Sequence, residues 1–266
     1  MGPDDAVLGV DGCPGGWVGA LVRRAPADGH PGGSGGRGYA PAASRISPPP
    51  AGRTSPPPAS RSSTAPPGAS RYVVSWHAGS MAELLALPAA VVAVDIPIGL
   101  PDGATRRPCD VQAAARLGAQ RSSVFPAPPR AVLEAHSHTH ASALSRAAGS
   151  VGVSLQSYNI LGKVAEVDGL RDPRLVEVHP EVSFRELTGI VLPRKLLVAG
   201  RQARLAALRT WLPEAALPAP RPGRARPDDC VDALVCAWSG WRWLAGDAHV
   251  LGGETDSTGL PMRIVI

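Results

Sequence analysis

The residues of this chain best suited to chemistry are acids. Asp11 follows one short apolar run and Asp95 another, Glu177 lies between Val176 and Val178 in a third, and Asp229 and Asp232 stand three apart in a stretch rich in Ala, Val and Trp. Positions i and i+3 share a helix face, and in open α/β sheets ligands bind beyond the carboxyl ends of the strands. Carboxylates converging there repel one another unless a cation holds them, and all-oxygen donors suit Mg2+ or Mn2+. Two such ions roughly 4 Å apart activate a water and stabilise the leaving oxygen of a phosphodiester. The expected chemistry is phosphodiester hydrolysis with Asp11, Asp95, Glu177, Asp229 and Asp232 as catalytic and metal-binding residues, on a nucleic acid or nucleotide substrate.

Each acid also has an ordinary role open to it. Asp11 before Gly12 could form a turn, Asp95 before Ile96-Pro97 a turn or cap, and Asp228 or Asp229 a helix N-cap. Glu177 either faces solvent or faces a site. Asp232, inside an apolar helix, is the hardest to explain away. His179 is read as a structural histidine before a proton shuttle, and His136, His138 and His140 as a solvated loop. Arg106, Arg107, Arg121 and Arg130 are candidates to hold phosphates or surface charges. Lys163 and Lys195 are the only lysines and are candidate substrate contacts.

The elements that must carry these residues can be read from pattern. Ala6 to Val10 and Trp17 to Val22 are apolar runs around a Gly-rich turn, and Arg71 to His77 reads as a third strand. Ser80 with Glu83 opens a helix from Met81 to Leu87, and the continuously apolar Ala89 to Val94 reads as a strand covered on both faces. Strand, helix, strand implies a right-handed crossover and a partly parallel sheet. Asp110 to Leu117 and Ser154 to Lys163 have helical or mixed character on either side of a Pro-broken loop from Ser122 to Arg130. Leu175 to Val178 is a further strand. Lys195 to Leu212 reads as a helix with Leu196, Leu205, Leu208 and Leu212 on one side, Arg221 to Pro227 as a short linker, Asp228 to Leu244 as a helix and Met262 to Ile266 as a final strand.

Composition sets the outer limits. In 266 residues there are 29 Pro and 30 Gly, and between Arg24 and Ser70 they crowd with Ser and Ala around two Pro-Pro-Pro runs. That segment has too few large apolar side chains to offset its ordering entropy, so a disordered insertion is expected at 24–70 between strands 2 and 3 of a single domain spanning 1–266. The formal charge of +5 suggests nucleic acid. However, five arginines against one aspartate place +4 of it inside the insertion, leaving the remainder near neutral. Four cysteines without metal-type spacing read as reduced thiols in a cytoplasmic protein. No segment has the roughly 18 apolar residues of a membrane span, and the acidic start is no signal peptide.

Five motifs in order, Gly9-Val10-Asp11-Gly12-Cys13-Pro14-Gly15-Gly16-Trp17, Asp95-Ile96-Pro97-Ile98-Gly99-Leu100-Pro101, Ser123-Val124-Phe125-Pro126-Ala127-Pro128-Pro129-Arg130, Glu177-Val178-His179-Pro180-Glu181-Val182-Ser183-Phe184 and Asp228-Asp229-Cys230-Val231-Asp232-Ala233, resemble the bacterial family called domain of unknown function 429, described as a predicted nuclease. The resemblance implies an α/β, ribonuclease H-like mixed five-stranded sheet flanked by helices, and a metal-dependent nuclease carried by the five acids. It supplies no substrate. Two other functions compete: an actin-like or sugar-kinase-like phosphotransferase, for which a second phosphate loop is missing, and a non-catalytic nucleic-acid-binding module using the basic insertion.

Overall fold

Apolar strands buried on both faces build the first layer, and only the outer β3 alternates. In a computed structural model of the chain, which describes residues 5–25 and 72–266, strands Ala6–Cys13 (β1), Gly16–Arg24 (β2) and Tyr72–Gly79 (β3) form an antiparallel meander. Val91–Val94 (β4) and Leu175–Glu177 (β5) then add parallel strands on the other side of β1, giving one mixed sheet in the order β3-β2-β1-β4-β5. The β1–β2 turn places Pro14 first and Gly15 second, and Gly15 has the left-handed φ of 85° that this position favours. The expected insertion falls outside the described residues except at its start, where Arg24 still belongs to β2.

Helices cover both faces: Met81–Leu85 (α1), Pro108–Leu117 (α2), His138–Ala147 (α3), Leu155–Leu170 (α4), Pro180–Thr188 (α5), Val198–Arg209 (α6) and Pro227–Ala245 (α7). On one face Ala6, Leu8, Val10, Val92 and Val94 pack with Met81 and Leu84 of α1 and Val164 and Val167 of α4. On the other, Val7, Val91, Ala93 and Val176 pack with Cys236, Ala237 and Trp241 of α7, and Phe184 and Leu208 bring in α5 and α6. Helix α7 lies against the backbone itself. A Cβ on Gly9 would come within 2.0 Å of the Ala233 carbonyl oxygen, and one on Gly240 within 2.6 Å of Val7. A separate hairpin, Val250–Thr255 (β6) with Pro261–Val265 (β7), packs over α2 through Leu251, Ile264 and Cys109.

Several boundaries move. The Ser80–Glu83 capping box is present, but α1 ends at Leu85. The C-terminal strand exists and pairs with β6, not with the main sheet. The expected helix from Lys195 begins at Val198, because residues before it turn tightly around Gly200, whose absent side chain leaves room for the Arg194 carbonyl. Leu196 is consequently 83% exposed and does not join Leu208 and Leu212 in the core. The stretch with His138 and His140 is the first turn of α3, capped by the Ser137 hydroxyl, where a loop was expected. No described helix is long and apolar enough to cross a membrane.

Candidate functional site

Asp11 is not a turn residue. It lies in β1, opposite Val18 and two residues before the turn, on the same side as Val7 and Gly9 and therefore facing α7. Its Oδ1 accepts the Gly12 N–H at 2.7 Å. Asp95 follows β4 directly, in the parity of Val91 and Ala93, which also face α7. Its N–H donates to the Val10 carbonyl at 3.1 Å, which seats it beside Asp11 across the parallel pair. Asp232 descends from α7, next to the Ala233 that touches Gly9, and is 1% exposed. Thus two strand ends and one helix bring three aspartates to one place.

Their electrostatics show the crowding. Burial, then the charges of Asp95 and Asp232, push the Asp11 carboxyl well above the usual carboxylate range. Burial pushes Asp95 and Asp232 each up to about 6 against the opposing pull of Lys195. The Lys195 Nζ donates to Asp232 Oδ2 at 2.5 Å. Burial works against its charge, but Asp232, Asp11 and Asp95 together hold the ammonium well above its ordinary value. Asp232 Oδ1 is buried with no hydrogen-bond partner.

Asp229 sits at the rim of this group. As the third residue of α7 its Oδ2 accepts the Arg226 N–H at 2.8 Å, closing the helix start, while its charge still acts on Asp11. The N-cap expected at Asp228 or Asp229 is instead Arg226, which Asp229 answers from inside the first turn with one oxygen of its carboxylate.

Glu177 goes elsewhere. It is the register partner of Val94 in the parallel pair β4–β5. Cross-strand partners share a sheet face, so Glu177 lies with Val94 on the face opposite α7. There the fork of buried Arg107 takes both its oxygens at 2.8 Å, and the Ile98 N–H adds a third bond at 2.7 Å. Arg107 also grips Asp110, through Nη2 at 2.5 Å and Nε at 3.1 Å. The acid between two valines thus meets neither solvent nor the aspartates but a guanidinium.

The remaining candidates separate cleanly. Arg107 is only 2% exposed and saturated by acids, and Arg130 is bound by Asp168 and Asp256. Arg106 and Arg121 are exposed. Lys163 reaches over the Trp17 ring to the Gly16 carbonyl at 2.5 Å, on the α4 side of β1. His179 precedes α5 with Nε2 3.3 Å from the Ser123 carbonyl, and burial lowers its pKa, leaving a neutral ring at pH 7. All four cysteines are free and buried.

Two residues that pattern reading passed over shape the site. Glu181, on α5, adds negative charge near Asp95 and Asp232, and Arg204 on α6 holds both its oxygens at 2.8 and 2.6 Å. Pro180 at the first helical position and Gly189 just past the end were the available signals for α5. Nothing local marks Arg204, whose role comes from distant partners.

Among the described residues no three His, Cys, Asp or Glu side chains converge closely enough to chelate an ion. The cation among the acids is Lys195. The donor types alone suit a hard cation, since every candidate ligand is an oxygen and one buried oxygen lacks a partner, while Lys195 supplies the positive charge found among them. A hollow of about 340 Å3 lies away from this group, beside β3 between Tyr72, Trp76, Glu214 and Leu217. None of the five candidate acids lines it.

Against known proteins, the model of a family described as protein of unknown function (DUF429) matches residues 9–257. No curated protein and no solved structure matches the chain significantly.

Proposed function

Because the chain belongs to the DUF429 family, whose matching model is described only as a protein of unknown function, we propose its function from the site: a metal-dependent hydrolase of phosphodiesters, of the nuclease type. One observation carries the reading. Asp11, Asp95 and Asp232 are gathered on one face of the sheet at the carboxyl ends of two adjacent parallel strands, with a buried, unpartnered oxygen on Asp232. The mixed five-stranded sheet flanked by helices agrees with the ribonuclease H-like fold that the sequence resemblance implies.

In this reading Asp11, Asp95 and Asp232 hold Mg2+ or Mn2+, and Asp229 offers its remaining oxygen from the rim. A bound divalent ion supplies Lewis-acid polarisation of a phosphoryl oxygen and a more acidic water. Water adds to phosphorus as the bond to the leaving oxygen breaks, and that oxygen takes up a proton. Glu177 is left out of the ligand set, since Arg107 and the Ile98 N–H already occupy both its oxygens. A nucleic acid or small nucleotide is the substrate class this chemistry serves.

The test is cleavage of DNA, RNA and a small aryl phosphodiester by the purified chain with Mg2+ or Mn2+. Asp11→Asn is expected to abolish cleavage and to keep the far-ultraviolet circular dichroism of the wild type. Cleavage that survives this change, or its absence from the wild type on every phosphodiester with either ion, sinks the assignment.

A further inference from the structure

We propose that the hollow beside β3 is a docking groove for a piece of the chain's own insertion, residues 53–61, which lie outside the described residues. This does not depend on the phosphodiesterase reading. Its first support is a repeat in the sequence. Arg45, Arg53 and Arg61 stand eight apart, and each interval reads Arg-x-Ser-Pro-Pro-Pro-Ala-x. A Pro-Pro-Pro run with an arginine three residues away on either side therefore occurs twice, which a mere excess of proline does not produce. Such a run favours the polyproline II helix, with three residues per turn. In that geometry each flanking arginine shares an edge with a proline.

The second support is the surface of the hollow. Polyproline segments dock in aromatic-lined grooves, because they are already extended and lose little entropy on binding. Tyr72 and Trp76 of β3 line the hollow together with Leu217 and Pro218. The Tyr72 ring is held against Trp211 and Trp241 at 5.3 and 5.4 Å between centroids, so this part of the wall is preformed. Glu214, exposed, is the only charged side chain in the lining, and its sign is opposite to that of Arg53 and Arg61. The third support is position. The insertion leaves after Arg24 and returns at Tyr72, the register partner of Arg24 and itself a lining residue. Fourteen residue steps separate Pro58 from Tyr72, a flexible tether with a span of roughly 20 Å, while Trp76 lies roughly 13 Å along β3. A tether of that length presents the segment at an effective concentration on the order of millimolar, which favours it over the same segment of a second copy.

Disulfide trapping in the full chain tests the docking. The four native cysteines are buried, so Ala59→Cys with Ala216→Cys adds a distinct pair of thiols, the second at an exposed position of the lining. Mild oxidation with diamide, followed by non-reducing electrophoresis and peptide mass mapping, is expected to join them within one chain. Pro56→Ser, Pro57→Ser and Pro58→Ser together keep the tether and remove the polyproline run, and should slow the joining at least about tenfold. Glu214→Lys should slow it roughly two- to fivefold at low ionic strength, a difference that salt diminishes. Equal rates with and without the three prolines overturn the proposal, as does a rate unmoved by Glu214→Lys. Joining chiefly between chains also overturns it, by giving the groove to a second copy.

Discussion

A buried carboxylate can be answered by a guanidinium or can face its own kind, and in both settings burial holds it above its ordinary range, Glu177 up to about 7 against the pull of Arg107. Glu177 belongs to the first type: with Asp110 it surrounds a buried arginine through short, paired bonds. Arg107→Met leaves two buried acids unanswered and is expected to cost about 3–5 kcal/mol in urea unfolding. A loss below about 1 kcal/mol would show the network to be dispensable. Asp11 belongs to the second type. Its raised pKa, and those of Asp95 and Asp232 near 6, mean that the folded metal-free protein keeps protons which the unfolded chain releases near pH 4. Stability from these groups is therefore full below about pH 4 and is lost as pH rises through about 6. Asp11→Asn removes one member of the group. It should match the wild type at pH 4 and exceed it at pH 7 by roughly 1–3 kcal/mol, and Mg2+ should narrow that gap by binding the wild type. A gap that is constant across this range would mean the aspartates do not repel.

At the scale of elements, what brings Asp232 over Asp11 is a helix lying on bare backbone. Gly9→Ala places a methyl 2.0 Å from a main-chain oxygen of α7, so the helix must lift or the strand must bend. We expect a loss of at least about 3 kcal/mol by calorimetry, beyond ordinary overpacking, and a weakened affinity for Mn2+ in any folded fraction. Wild-type affinity in a folded Gly9→Ala protein would contradict the contact. The same scale explains what was legible beforehand. Asp11 and Asp95 could be placed because each follows a short apolar run, although β1 continues past Asp11 to Cys13, and Asp232 because an acid inside an apolar helix stands out. Glu177 could not, since β5 is three residues long and its face is set by pairing with β4, about 80 positions earlier. Lys195 and Arg204 were opaque for a similar reason: the turn that joins them is held by tertiary contacts, and helical periodicity alone carries Lys195 into α6. Strand β6 was hidden by Gly252 and Gly253, which break its apolar pattern.

Across the whole molecule, the acids and the point where the insertion enters lie at opposite ends of β2. Strand β2 starts at Gly16 beside the acids and ends at Arg24, which pairs with Tyr72, so the chain leaves and re-enters at adjacent positions on the far edge. Replacing residues 25–71 by a short Asn-Gly turn is expected to shift the melting temperature by no more than a few degrees, since loop length enters stability only logarithmically. Mn2+ affinity should not change, and a lost or weakened ion site after this excision would tie the insertion to the chemistry. Val18, opposite Asp11, and Arg24 are six residue steps apart, or roughly 20 Å of strand. The Arg24–Tyr72 join is thus a natural splice point: a fluorescent domain grafted there would ride at fixed distance from the acids, within energy-transfer range of a dye-labelled oligonucleotide, and could report substrate arrival without entering the site.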